Sequence, residues 1–109
     1  MENINEYQKI VNNYAIHPKK YNVIYPVLGM CGEAGEAAEK IKKIIRDKNE
    51  IFDDEAKKEI AKELGDVICY IAFIAEDLNL QLSDILQLNI DKIQSRFNRN
   101  VMHGEGDNR

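Results

Sequence analysis

Tryptophan is absent, only 7% of the residues are aromatic, and the 109-residue chain has just two cysteines and two prolines. Cysteines as far apart as Cys31 and Cys69 build neither a disulfide framework nor a zinc knuckle. They read as buried, reduced thiols of a cytoplasmic protein. Positive charge is in deficit, fifteen Lys and Arg facing nineteen Asp and Glu, for a net charge of −4. Neutralising a phosphate backbone needs a basic surplus, so no stable nucleic-acid binding is expected. No apolar run approaches the roughly 20 residues of a membrane span, and the polar, acidic start Met1–Glu6 does not read as a signal peptide. Strand-like alternation, repeats and low-complexity tracts are missing as well. What remains, 44% hydrophobic and 31% charged, is the composition of a globular protein, here a single domain over residues 1–109.

Apolar residues recur at helical spacing almost throughout. Ile4, Tyr7, Val11 and Tyr14 predict a first helix of about four turns. His17-Pro18 ends it, because proline disfavours helix at the residue before it. A second helix is expected from Tyr25-Pro26 through Leu28, Cys31, Gly35, Ala38, Ile41 and Ile45, followed by a polar connection at Asp47–Glu50. Asp53 or Asp54 reads as the cap of a third helix carrying Ile60, Leu64, Val67, Ile68, Ile71 and Ile74. Its apolar stripe is widest from Val67 to Ala75, which marks that stretch as the most buried. Ser83 is the expected cap of a fourth helix through Leu86, Ile90, Ile93 and Phe97, and Val101–Arg109 reads as an irregular tail. The pattern predicts an all-α fold, a four-helix antiparallel bundle. Tyr7, Tyr14, Tyr21, Tyr25, Phe73 and Phe97 are expected to pack at its core.

The chemistry lies in the acids. Glu33, Glu36 and Glu39 stand three residues apart, a spacing that places successive side chains on one helix face. Glu63 and Asp66 repeat it on the third helix, with 26 residues between Glu36 and Glu63. Helices joined by a short connection run antiparallel, so the two acid pairs can face each other across a groove. Converging carboxylates need cations or shifted pKa values to relieve them, and oxygen-only ligand sets suit Mg²⁺ or Mn²⁺. No E-x-x-H motif accompanies them, which argues against a di-iron carboxylate oxidase. The same spacing also describes a solvated, ion-paired face, as Glu39 with Lys42 and Lys43, or Glu59 with Lys62, illustrates. Gly32, Gly35 and Gly65 directly precede Glu33, Glu36 and Asp66 despite their cost inside helices, which suggests close approach to the backbone there.

The stretch Leu28-Gly29-Met30-Cys31-Gly32-Glu33-Ala34-Gly35-Glu36, with Glu63-Leu64-Gly65-Asp66-Val67-Ile68-Cys69-Tyr70, resembles the MazG-type nucleotide pyrophosphohydrolases. So do Asn89-Ile90-Asp91-Lys92-Ile93 with Arg96, and the ending Gly104-Glu105-Gly106-Asp107-Asn108-Arg109. The resemblance runs from Leu28 to Arg109. It implies an Mg²⁺-dependent enzyme, with Mn²⁺ as a possible substitute, that hydrolyses a (d)NTP to (d)NMP and pyrophosphate. Carried over by position, Glu33, Glu36, Glu63 and Asp66 would be the metal ligands, with Glu33 and Glu36 in the catalytic role. Glu39 falls outside that set, as an outer-shell residue or a base for water.

Lys92 and Arg96, four residues apart, are suited to grip the outer phosphates, and Asn89 to add a hydrogen bond. Tyr70, where many relatives carry Trp, is the candidate for base contact, and Arg109 for closure over the nucleotide. The partners implied are a (d)NTP substrate and a second copy of the chain, in a homodimer or homotetramer. The first helix, more apolar than a three-helix core requires, points the same way. Two rivals stand beside this reading: a non-catalytic helical interaction module, and the same fold acting on dUTP/dUDP or phosphoribosyl-ATP.

Overall fold

The computed structural model describes residues 1–109 and contains four α-helices and no strand. Helix α1 spans Ile4–Asn12, α2 Ile24–Asp47, α3 Asp54–Asp77 and α4 Leu82–Asn98, with a short 3-10 turn at Lys19–Tyr21. No helix is long and apolar enough to cross a membrane.

Asn3 caps α1 by accepting the Glu6 N–H at 2.9 Å. The helix ends earlier than its apolar spacing predicts, because the N–H groups of Asn13 and Tyr14 bond back only three residues, to Ile10 and Val11. Tyr14 is left in solvent. The chain then passes a strained point at Val23, whose φ is +70°. Asp77 at the far end of α3 holds it there: one carboxylate oxygen accepts the Val23 N–H at 2.8 Å and lies 2.9 Å from His17 Nε2. This single acid fixes where α2 begins.

Asp53 caps α3 by accepting the Ala56 N–H at 2.8 Å, with Asp54 and Glu55 in the first turn, where the helix dipole favours acids. Helices α2 and α3, each 24 residues, pack as an antiparallel hairpin. Its register is read from facing pairs: Gly29 with Tyr70, Glu33 with Asp66, Lys40 with Glu59. The core forms where α1 crosses α3. Ala72, Ala75 and Leu82 are buried there, with Ile4, Tyr7, Val11, Ile71 and Ile85 packed against them. The most buried stretch thus lies within the predicted Val67–Ala75 window, and its alanines let α1 approach closely. Of the predicted apolar stripe of the first helix, Ile4, Tyr7 and Val11 are spent on this core.

Ser83 does not cap α4. The cap residue is Gln81, whose side chain makes no capping bond. The acceptors come from α1 instead: Gln8 Oε1 accepts the Leu82 N–H at 2.8 Å and Asn5 Oδ1 accepts the Ser83 N–H at 3.0 Å. Beyond its first turns α4 reaches into solvent, leaving Leu88 and Phe97 72% and 73% exposed. The radius of gyration of 16.8 Å exceeds the ~13 Å of a compact chain this long, so the bundle is open on the α4 side. Openness also corrects the aromatic and cysteine expectations. Tyr7 and Phe73 pack as predicted, but Tyr14, Tyr21, Tyr25 and Phe97 are exposed, as is Cys31. Only Cys69 is half-buried, its thiol pushed up in pKa by burial and then by the charge of Asp66.

Candidate metal centre

Glu33 from α2 and Glu63 and Asp66 from α3 converge: one carboxylate oxygen of each lies within 4.8 Å of the others. Helix geometry produces the meeting. Glu63 and Asp66 share a face of α3 at i, i+3, and the antiparallel register brings Glu33 opposite them. Glu33 and Glu63 are half-buried and Asp66 is exposed at the rim.

Crowding shows in the acidities. Glu33 is held above the usual carboxylate range, first by its hydrogen bond with Glu63, then by burial and by the charges of Asp66, Glu63 and Glu36. Glu63 moves the other way, because Lys40 Nζ donates to it at 2.8 Å and Glu33 bonds to it. Lys40, also 3.2 Å from Glu59, is the single cation bonded to the cluster. Its part was not read from the sequence, where it counted among neighbouring lysines. The signal was present in its spacing, seven residues after Glu33 and so on the same helical stripe.

Glu36, the fourth predicted ligand, is exposed and stands outside the converging three, acting on Glu33 through its charge. Glu39 pairs with Lys42 at 2.9 Å, and Glu59 with Lys62 at 2.9 Å, the solvated face expected for such spacing. Within one chain the close approach falls at a different glycine. A Cβ at Gly32, Gly35 or Gly65 would meet nothing within 4 Å, whereas one at Gly29 would overlap the Tyr70 ring. The Tyr70 ring fills that gap and meets Phe73 edge-on, with ring centroids 5.7 Å apart.

An oxygen-only triad on paired helices, short of positive charge, fits a hard divalent cation. The profile of the MazG nucleotide pyrophosphohydrolase domain matches residues 26–101, the span that holds these acids. The chain belongs to the MazG family. Its likeness extends to Gene 37 protein of Mycobacterium phage L5, which is 41% identical over 109 residues, covering 94% of this chain and 96% of that protein. No solved structure matches the chain.

The remaining elements of the MazG pattern lie apart from the acids. Asn89, Lys92 and Arg96 are on α4, and none of them, nor Arg109, shares a hydrogen bond or ion pair with α2 or α3. Lys92 and Arg96 converge on Asp107 of the tail, at 3.1 and 3.2 Å, and Arg96 is nearly buried. The two cations hold the Asp107 carboxyl below its usual range. Arg109 turns inward, donating to the carbonyls of Val101, Met102 and Gly106. The tail is a set of linked turns around that guanidinium, with Gly106 at φ +83°. Asp107 was not among the residues singled out from the sequence, where only its place in a Gly-x-Gly-Asp-Asn-Arg ending marked it.

Proposed function

We propose that the chain hydrolyses nucleoside or deoxynucleoside triphosphates between the α and β phosphates, releasing monophosphate and pyrophosphate. The convergence of Glu33, Glu63 and Asp66 within 4.8 Å, in a chain of the MazG family, carries this reading. These three would hold Mg²⁺, with Mn²⁺ as a substitute and Glu36 as a fourth ligand. Such a cation, when bound, would supply charge neutralisation for the phosphates and a more acidic water.

The chain's own residues account for the rest. Water attacks the α-phosphorus in line, its proton passes to a carboxylate, and the bond to the bridging oxygen breaks to free pyrophosphate. Glu36, which stands outside the converging three and would be the ligand least engaged by the cation, is the first candidate to accept that proton, with Glu33 the second. Glu39 is engaged with Lys42, which removes it from consideration as the base. Lys92 and Arg96 would grip the outer phosphates, Asn89 would add a hydrogen bond, and Tyr70 would stack on the base. The reading includes a homodimer or homotetramer. Acids and cations lie on helices that share no polar contact in one chain, and α4 exposes Leu86, Leu88, Ile90 and Phe97. A second copy that covers this face could bring the two halves together.

Mg²⁺-dependent turnover of a panel of (d)NTPs, with products read by phosphorus NMR, tests the proposal. Monophosphate with pyrophosphate supports it, while diphosphate with phosphate overturns the cleavage site. No turnover and no effect of Mg²⁺ on the melting temperature would leave a helical interaction module in its place. Light scattering showing only a 12.6 kDa species would remove the oligomer.

A further inference from the structure

Lys92 and Arg96 lie one turn apart on α4 and meet the same atom, Asp107 Oδ1, while Arg96 Nη2 also donates to the Asp107 carbonyl at 2.6 Å. The partners are unequal: the Arg96 side chain is 10% exposed and that of Asp107 81%. An enclosed guanidinium needs an anion beside it. The fold supplies one from a tail whose other side-chain bonds are nearly all internal, through Arg109, with Arg99, just past the end of α4, alone reaching across to the Arg109 carbonyl. No residue of α1, α2 or α3 hydrogen-bonds to that tail. Next to the three charges lies a cavity of 610 Å³, lined by Asn89, Lys92, Asp107 and Asn108 among others, within the size range of small-ligand sites.

We propose that Asp107 is a built-in competitor for the polyphosphate subsite of Lys92 and Arg96, occupying it until a polyphosphate displaces the tail. The inference rests on the reading of those two cations as the phosphate grip. Exchange of one anion for another keeps Arg96 paired throughout, so neither the closed nor the loaded state leaves a bare buried charge. Tethering keeps the carboxylate at a high local concentration without any partner molecule. Every incoming anion meets the same penalty, the fraction of molecules with the subsite open. Weakly held anions of low charge fall out of their working range first, and a triphosphate retains its hold.

The test is calorimetric titration with inorganic tripolyphosphate in chelator-containing buffer, where the acid cluster plays no part, on the wild type, Asp107→Asn and Lys92→Met. Asparagine keeps the shape and the carbonyl bond to Arg96 but removes the charge. Asp107→Asn is expected to bind about tenfold more tightly than wild type. Arg109→Ala, which unclamps the tail, should move affinity in the same direction. Equal or weaker binding by Asp107→Asn, with binding still lost in Lys92→Met, would overturn the competitor and leave the phosphate grip standing. No binding to either wild type or Asp107→Asn would remove the grip itself, and the competitor with it, whatever turnover the acids support. In the wild type, saturating tripolyphosphate should speed hydrogen exchange of the tail amides, and unchanged protection would overturn the displacement.

Discussion

Gln8, near the middle of α1, accepts the Leu82 N–H at 2.8 Å and so caps a helix 74 residues further along the chain. Its amide group also donates to the Leu80 carbonyl at 2.8 Å and to Glu76 at 3.2 Å, and the residue is 4% exposed. One side chain thereby joins the end of α3, the linker and the start of α4.

Gln8→Ala should leave the buried first N–H of α4 without its partner and remove the bond to the part-buried Leu80 carbonyl. A loss of about 1–3 kcal/mol is expected, read by urea denaturation. Asn5→Ala should cost less, because Asn5 is only half-buried. Unchanged stability in Gln8→Ala would mean that α4 starts without help from α1.

The glycines separate two kinds of position. Gly29→Ala drives a methyl group into the Tyr70 ring and should destabilise by about 1–3 kcal/mol. Gly32→Ala and Gly35→Ala face open space in a single chain, and helix propensity alone should raise stability by up to about 1 kcal/mol each. Thermal melts read both effects. If light scattering showed that either of the latter two breaks an oligomer, the close approach expected from the sequence would lie between copies.

Glu63→Gln should abolish the rise in melting temperature given by Mg²⁺, and turnover should fall by more than the roughly 10–100-fold typical of residues that only support a metal ligand. Glu33→Gln should lose activity while holding or raising the stability of the metal-free protein, since it removes a charge from a crowded cluster. Retained turnover in either variant would take that residue out of the site.

Stability and metal response should both depend on pH through Glu33. Its acidity is weakened in the folded state, so its contribution is present below the ordinary glutamate value of about 4.3 and is lost as pH rises through the raised value. A divalent cation takes the place of the lost proton, and the stabilisation by Mg²⁺ should grow over that same rise. Melting curves with and without Mg²⁺ across acidic to neutral pH would read it, and a pH-independent difference would count against the assignment.

The tail should show the opposite sign. Asp107 is depressed in pKa by Lys92 and then Arg96, so its attachment is present above the ordinary aspartate value of about 3.9 and is lost only as pH falls through the depressed one. Carbon NMR of the Asp107 carboxyl should give a midpoint below that of a free aspartate, and Lys92→Met should raise it. A midpoint at the ordinary value in the wild type would mean that the tail is not held by charge.

Helix positions were legible because they depend on neighbours three and four residues away: the apolar stripes, Pro26 in the first turn of α2, and Asp53 as a cap. The spacing of Glu33, Glu63 and Asp66 belongs to the same class, since the face each acid occupies follows from 3.6 residues per turn and a short connection between helices. The family resemblance rested on residues in order along the chain and needed no contact map.

Tertiary structure decided the matters that turn on which faces meet. Ser83 carries the right chemistry for a cap, yet the N–H groups at the start of α4 point at α1, and Gln8 and Asn5 answer them. Gly32, Gly35 and Gly65 each stand beside an acid, but the backbone that cannot take a side chain is Gly29, because the register of the hairpin sets Tyr70 against it. Lys92 and Arg96 were visible as a cationic pair four residues apart, while their engagement with Asp107 depends on how the turns after α4 fold back. Local spacing selects the face of a helix; only packing selects what that face will touch.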